Sequence, residues 1–273
     1  MISYIPDGTD EETGISRTTH LAISAHQDDV EFMAYAPIAE CFGSSDKWFG
    51  AVVVTDGAGS PRSGIYADYT DEEMKKVRIV EQKKAAFLGE YSFLALLGHL
   101  SKEVKAGERA IAEELASLIQ RAHPKYLYTH NLADKHETHV ATALRVIAAL
   151  RFLKPEDRPE KVFGCEVWRD LDWLPDDEKI YLDCGPHPNL MRALSAVFDS
   201  QIAGGKRYDL AAEGRRLANA TFSASHACDT YSALNYAMDL TPLMDESADI
   251  ADFITAAIER FKEQVKEGIR KFQ

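Results

Sequence analysis

The stretch HLAISAHQDDVEF, residues 20–32, decides the fold and indicates where the chemistry lies. Its first part, residues 20–25, predicts a buried strand, and His26, Asp28 and Asp29 follow that strand directly. In α/β proteins, ligands bind beyond the carboxyl ends of parallel strands. We therefore expect these three polar side chains to lie at a ligand-binding edge of a sheet.

Short apolar runs and amphipathic segments alternate along the rest of the chain. Four more strands are predicted, at 49–55, 91–98, 125–130 and 161–168. Helices are predicted at 71–89, 102–123, 136–153 and 245–272. The pattern of residues 222–244 is mixed and predicts no single element. This alternation predicts an α/β fold that is Rossmann-like, with a mostly parallel sheet and helices on both faces.

The simplest organisation is one domain spanning residues 1–273. Residues 1–19 are expected to be an N-terminal arm, and residues 245–272 a closing C-terminal helix. No internal repeat or low-complexity linker suggests a domain boundary.

Charge and cysteine content narrow the classes of partner. The chain has 31 Lys and Arg against 44 Asp and Glu, a formal charge of −13, which argues against a nucleic-acid or membrane partner. The four cysteines are scattered and form no C-x-x-C pair, which favours a reducing compartment. The N-terminal residues do not resemble a signal peptide, and no apolar run approaches the ~20 residues of a membrane span. We therefore expect a cytoplasmic protein.

A second polar cluster lies in THNLADKHETHVA, residues 129–141, after the strand predicted at 125–130. His136 and His139 are three residues apart at a helix start, so both can face one site. A catalytic zinc binds three His, Asp or Glu side chains and keeps one position open. The two clusters together can supply that set as His26, Asp29 and His139.

Ordinary explanations exist for each cluster taken alone. An Asp-Asp pair after a strand is commonly a helix cap beside a solvated acid, and histidine pairs on helices are commonly exposed. Two such clusters at matching strand ends favour a shared metal site. The stretch TDGAGSPRSG, residues 55–64, lacks the third glycine of a dinucleotide-binding loop, and we interpret it as a substrate-facing loop with Arg62 as a contact.

Three segments carry a resemblance to a known family. AHQDDVEF resembles the A-H-P-D-D-x-E motif of the PIG-L/LmbE-like family of metal-dependent N-acetylglucosamine deacetylases, and HNLADKHETH resembles its H-N-P-x-D-x-H-x-D-H motif. RIVEQKKAAFLG, residues 78–89, is similar to the family's R-x-x-E-x-x-x-A-x-x-x-L-G helix. FDSQI, residues 198–202, is a weaker match to an H-x-S-Q segment.

The resemblance implies a role for each matching residue. It implies that the metal, zinc or else Fe, Co, Mn or Ni, is bound by His26, Asp29 and His139. It implies that Asp28 is the general base and that His136 is the acid or the oxyanion stabiliser. On the substrate side, Arg78 would hold the substrate and Asp134 would orient the histidine cluster. The alternative for Arg78 is an ion pair with Glu81 on a solvated helix face.

The resemblance also implies an activity. A metal-bound water would attack an N-acetyl group of an N-acetylglucosamine-type sugar or glycoconjugate. Two alternatives stay open: a metal-dependent hydrolase of a different acylated amine, or a silent sugar-binding member of the family. The partner is expected to be a small acetylated amino sugar or glycoconjugate, and self-association is possible.

The sequence departs from the family pattern at two informative positions. Thr138 stands where the family has an aspartate that supports the acid histidine, so we expect the pKa of His136 to differ from that of the family's histidine. Phe198 replaces the histidine of the last motif. The family's substrate-binding tyrosine cannot be placed, and Tyr231 and Tyr236 are both candidates.

Overall fold

The computed structural model describes all 273 residues, and an eight-stranded sheet runs through it. The strands are β1 Ile2–Tyr4, β2 His20–Ser24, β3 Phe49–Thr55, β4 Phe93–His99, β5 Tyr126–His130, β6 Lys161–Cys165, β7 Ile180–Asp183 and β8 Leu234–Asp239. Their order across the sheet is β1-β4-β3-β2-β5-β6-β8-β7.

The five central strands, β4, β3, β2, β5 and β6, are all parallel to one another. β1, β8 and β7 are added antiparallel at the two edges. The mostly parallel, Rossmann-like sheet predicted from the sequence is therefore confirmed. From β2 the chain continues to β3 on one side and later to β5 on the other, so the strand order reverses between β2 and β5. Such a switch point opens a crevice at the carboxyl ends of β2 and β5.

Eleven helices cover the sheet. They are α1 Glu11–Ser16, α2 Asp29–Met33, α3 Tyr35–Cys41, α4 Asp71–Leu88, α5 Ser101–Ala106, α6 Arg109–Ala122, α7 Glu137–Phe152, α8 Pro188–Ala196, α9 Asp199–Ile202, α10 Tyr208–Phe222 and α11 Ile250–Arg270. One hydrophobic core of 29 residues includes α6, α7 and α11, and another of 27 includes α2, α3 and α8. Cores of similar size on the two faces explain why the parallel strands are apolar throughout: all seven residues of β3 are buried. None of these helices is both long and apolar enough to cross a membrane.

Two predicted elements differ from the structure because the backbone turns at positions that the hydrophobic periodicity of the sequence does not indicate. The helix predicted at 102–123 is two helices, α5 and α6, because Gly107 adopts a left-handed φ of 79° and ends the first. The strand predicted at 161–168 ends at Cys165. The three residues that follow leave the sheet and turn toward the site described below.

The ends of the chain also differ from the prediction. Residues 1–19, predicted as an arm, contain β1 and α1, and β1 pairs with β4. The closing helix begins at Ile250, after a short 3-10 turn at Thr241–Met244. β8 lies within the segment 222–244, where the sequence predicted no element.

α4 is the helix that matters most for the site. Its start is fixed by a capping box, in which Thr70 and Glu73 satisfy each other's backbone N–H groups. Its inner face buries Arg78, Glu81 and Gln82 against the turn that follows β2. Buried polar side chains need partners: Arg78 and Gln82 find them in that turn, while Glu81 finds them in Arg78 and in α9.

Candidate active site

The carboxyl ends of β2 and β5 bring the two polar clusters together. The Nδ1 atom of His26 lies 3.1 Å from Oδ2 of Asp29 and 3.2 Å from Nε2 of His139. The same Nε2 and Oδ2 atoms of His139 and Asp29 lie 3.3 Å apart. Three atoms with lone pairs, from residues up to 113 positions apart in the sequence, thus form one small triangle.

This triangle fits a divalent cation. A tetrahedron whose corners lie about 2.0 Å from its centre, the usual zinc distance to nitrogen or oxygen, has edges of about 3.3 Å. Two imidazole nitrogens and one carboxylate oxygen form a donor set that zinc accepts, and Fe, Co, Mn or Ni accept it also. Asp29 and His139 are almost fully buried, whereas His26 is partly open to the cavity.

Asp134 supports His139 from behind. Its Oδ2 atom lies 3.1 Å from Nδ1 of His139 and accepts a 3.0 Å hydrogen bond from the Val167 backbone N–H. A carboxylate on the second ring nitrogen fixes the tautomer and orientation of a ligand histidine. Burial would raise the pKa of Asp134, but the hydrogen bond with His139 and its charge lower it to about 2. Asp134 does not line the cavity, so its contacts fit the orienting role and give it no contact with substrate.

The adjacent carboxyls of Asp28 and Asp29 have opposite electrostatic environments. Burial raises the pKa of Asp28 to about 6, although the charge of Arg78 opposes the shift. Burial acts on Asp29 in the same direction, but the charges of His139 and His130 hold its pKa well below the usual value. Burial would lower the pKa of His139, yet Asp29 and Asp134 raise it to about 10. A histidine held between two carboxylates is a position that favours a cation.

A strained turn separates the two aspartates. Asp28 has φ 87° and ψ −31°, a left-handed conformation that costs a non-glycine residue about 1–3 kcal/mol. The turn points the Asp29 carboxylate at the histidines and the Asp28 carboxylate at Arg78, whose Nη2 lies 3.1 Å from Oδ2 of Asp28. The Asp28 backbone N–H donates a 3.0 Å hydrogen bond to Oε1 of Gln82.

Arg78 is held mainly by the protein itself. Its guanidinium is 2% exposed and donates to Asp28, to the Gln27 carbonyl and, at 3.2 Å, to Oγ of Ser200. An ion pair with Glu81 forms at 3.3 Å, but it is buried and does not lie on a solvated face. Arg78 lines the cavity, yet most of its donors are directed at the Asp28 turn and at α9.

His136 lies at the mouth of the site, with its ring edge-on to His26 at a centroid distance of 5.0 Å. Burial, followed by the neighbouring histidines His139 and His26, lowers its pKa. Its Nδ1 atom is buried without a hydrogen-bond partner, which is consistent with Thr138 in place of a supporting carboxylate. The lowered pKa of His136 favours its neutral imidazole at neutral pH.

The cavity in front of these residues has a volume of about 320 Å³. Its far wall is aromatic: the Trp168 ring lies nearly parallel to that of His136, with centroids 6.2 Å apart, and Tyr208 meets Trp168 edge-on at 5.9 Å. Phe32 packs against Tyr208. Gln201 completes the wall; it is 4% exposed, and its Nε2 atom has no hydrogen-bond partner in the protein.

The sequence does not predict this wall. Trp168 falls at the end of the strand predicted at 161–168, and the candidate tyrosines Tyr231 and Tyr236 do not line the cavity, whereas Tyr208 does. No spacing signal marks Tyr208, because it reaches the site through the packing of α10. Gln201 lies in the weak 198–202 match, which was a usable signal.

The loop after β3 forms the side wall, as expected, but through other residues. Asp56, Gly57, Gly59, Ser60 and Pro61 line the cavity. Arg62, the predicted contact, is outside the lining and donates instead to the Ala58 carbonyl at 2.7 Å and to Asp71.

The part of the chain that contains both polar clusters matches a known protein family. A family model described as PIG-L: GlcNAc-PI de-N-acetylase matches residues 21–150. No curated protein matches the sequence.

Solved structures share the fold at low sequence identity. The N,N'-diacetylchitobiose deacetylase of Pyrococcus horikoshii, complexed with an inhibitor, superposes with a TM-score of 0.65 at 13% identity over 91% of this chain and 93% of that one. GalB, the 4-carboxy-2-hydroxymuconate hydratase of Pseudomonas putida KT2440, gives 0.64 at 17% over 85% and 100%. The A40926 pseudoaglycone deacetylase Dbv21 gives 0.58 at 18% over 82% and 97%. Because deacetylases and a hydratase share the fold, the reaction must be argued from the site.

Proposed function

Because this chain carries a PIG-L family domain, we propose that it is a metal-dependent hydrolase that removes an N-acetyl group from an N-acetylglucosamine-type sugar or glycoconjugate. The observation that carries the proposal is the triangle of His26, Asp29 and His139. The carboxylate of Asp28 lies next to this triangle but is not one of its corners, because it pairs with Arg78. The proposed cation is zinc, with Fe, Co, Mn or Ni as alternatives. The four free cysteines support the proposal that the enzyme works in the reducing cytoplasm.

His26, Asp29 and His139 would hold the cation, with Asp134 fixing the His139 ring from behind. The bound cation would supply Lewis acidity at the amide carbonyl and lower the pKa of water toward ~7. Proton transfer and stabilisation of the developing negative charge would be carried out by side chains of the protein.

Asp28 is the proposed base. With a pKa of about 6 its carboxylate is ionised at neutral pH, yet basic enough to accept a proton from the attacking water. Arg78 fixes Oδ2 of Asp28 at 3.1 Å, so proton transfer starts from a held carboxylate. The proton taken up by Asp28 can then pass to the departing amine, which cannot leave as an anion.

His136 is the proposed stabiliser of the developing oxyanion. As a neutral imidazole it donates one N–H, and a positioned donor of this kind is typically worth ~3 kcal/mol in the barrier. Its lowered pKa makes donation from a neutral ring the working form at pH 7.

The far wall supports a sugar as substrate. A pyranose has an apolar C–H face that packs on aromatic rings and hydroxyls that need polar partners. Trp168 and Tyr208 offer the rings, and the unpartnered amide of Gln201 offers a donor. A cavity of about 320 Å³ lies at the low end for small-molecule sites, which suits one sugar ring with the rest of the glycoconjugate outside.

The test is acetate release by metal-stripped protein reloaded separately with zinc, cobalt, nickel, manganese or iron. The substrates are N-acetylglucosamine, N,N'-diacetylchitobiose and an acyclic N-acetylated amine. We expect release from the two acetylated sugars that depends on added metal. Preference for the acyclic amine would identify a different amidohydrolase, and sugar binding without release would identify a silent member.

A further inference from the structure

We infer that a buried chain of hydrogen bonds, Tyr91–Glu31–Gln82, positions the catalytic base by holding the backbone of Asp28 in its left-handed turn. The inference rests on the proposed function, in which Asp28 is the base. It makes Gln82, Glu31 and Tyr91 positioning residues, because none of them lines the cavity.

The Asp28 turn requires an acceptor at its N–H. The residue is 5% exposed, and a buried backbone N–H without a partner is costly. Gln82 Oε1 is that acceptor, at 3.0 Å. A left-handed aspartate persists only where its surroundings over-determine the conformation. Here Gln82 holds the backbone of Asp28 while Arg78, one turn earlier on α4, holds its carboxylate.

The Gln82 amide is itself fixed. Its Nε2 donates a 2.8 Å hydrogen bond to Oε1 of Glu31, so the amide cannot flip without losing both bonds. The Tyr91 hydroxyl donates to the same Oε1 atom at 2.7 Å. These three side chains are at most 1% exposed, so solvent cannot substitute for a lost partner.

The chain also closes on the segment that it positions. Glu31 lies in α2, two residues after Asp29, so the turn is pinned at the Asp28 N–H and again at Glu31. The site can therefore keep the cation ligands in place while the angle of the Asp28 carboxylate is set separately, through α4.

The first test is Gln82→Leu, which keeps the size of the side chain and removes the acceptor. We expect kcat for acetate release to fall about 10- to 100-fold, the usual cost of a small misplacement, with KM within about twofold and metal content unchanged. Tyr91→Phe is expected to lower kcat about three- to tenfold. Tyr35→Phe is the matched control, since it removes another buried hydroxyl, one that donates to the His187 carbonyl, and should leave kcat unchanged.

A donor-acceptor exchange separates positioning from packing. Gln82→Glu alone keeps an acceptor for the Asp28 N–H but loses the donor to Glu31, so two buried carboxyls face each other and kcat should fall about 10-fold. Combined with Glu31→Gln, the variant regains a donor between the two side chains, and kcat should recover toward the wild-type value. Absence of recovery, or wild-type kcat in folded Gln82→Leu, would overturn the inference.

A crystallographic readout does not depend on turnover. In wild type, φ at Asp28 should lie near 87°, and in Gln82→Leu it should leave the left-handed region. If the wild-type protein releases acetate from no substrate, the proposed function fails, and this comparison still decides the inference. An Asp28 that keeps its left-handed φ in Gln82→Leu would overturn it.

Discussion

The proposed metal-binding side of the cavity, here called the metal side, and the far wall take their residues from different kinds of segment. The metal side takes its residues from two short stretches, 26–29 and 134–139, each directly after a strand. The wall takes Trp168, Gln201 and Tyr208 from separate elements. The metal side is buried and dense in charge, while the wall is aromatic. The residues of the proposed chemistry thus come from two short stretches, whereas those of the wall come from separate elements that packing brings together.

The largest expected effect tests the metal side. Asp28→Asn should retain the fold and the metal, while kcat falls by a factor on the order of 10²–10⁴, the usual worth of a general base. Acetate release under saturating substrate measures it, with metal content determined on the same sample. Full activity in this variant would remove Asp28 from the mechanism and leave the wall as the better-supported half of the site.

The next effect concerns the support behind His139. Asp134→Asn should weaken metal affinity about 10- to 100-fold, because the amide no longer fixes and polarises the ring. Competition with a chelator measures the affinity. Asp239→Asn is the control, since it removes a carboxylate that pairs with Lys161 far from the cluster. Equal affinities in the two variants would show that the 3.1 Å contact has no influence on the metal.

The far wall should govern KM. Trp168→Ala is expected to raise KM for an N-acetylated sugar about tenfold and to leave KM for an acyclic N-acetylated amine unchanged, because only the sugar has a face to stack. Trp173→Phe, on the same loop but outside the cavity lining, is the control. A similar rise for both substrates would mean that Trp168 shapes the loop and does not contact the ring.

The sheet and the convergence of the two polar clusters are predictable from the sequence because both have local signatures. Continuous apolar runs indicate all five central strands, and the ends of two of those strands indicate where His26, Asp29 and His139 meet. Arg78 lines the cavity, but the sequence does not indicate its buried partners, Asp28 and Ser200, because they come from distant segments. The far wall could not be predicted for the same reason. The position of Tyr208 depends on how α10 packs, and neither hydrophobic periodicity nor motif spacing indicates that packing.

The smallest expected effect concerns Arg78 and pH. Asp28 acts as a base only when ionised, so activity falls as pH drops through its pKa, about 6 with Arg78 beside it. Arg78→Gln removes a positive neighbour that lowers this pKa, so the acid limb of kcat/KM should move to higher pH by on the order of one unit. A bound cation would affect the pKa of Asp28 equally in wild type and in Arg78→Gln, so a difference between their acid limbs reports the effect of Arg78. If the acid limb of kcat/KM stays at the same pH and KM rises, the result would indicate that Arg78 binds substrate.

Metal content of wild type, Asp28→Asn and Asp29→Asn, measured side by side after equilibration with zinc and dialysis, tests the central claim most directly. The claim is that two neighbouring carboxylates divide the work, one bound to the cation and one free to exchange a proton. We expect about one ion per chain in wild type and in Asp28→Asn, as a three-ligand site would hold, and much less in Asp29→Asn. Loss of metal from Asp28→Asn with retention in Asp29→Asn, or no metal in wild type, would contradict the account.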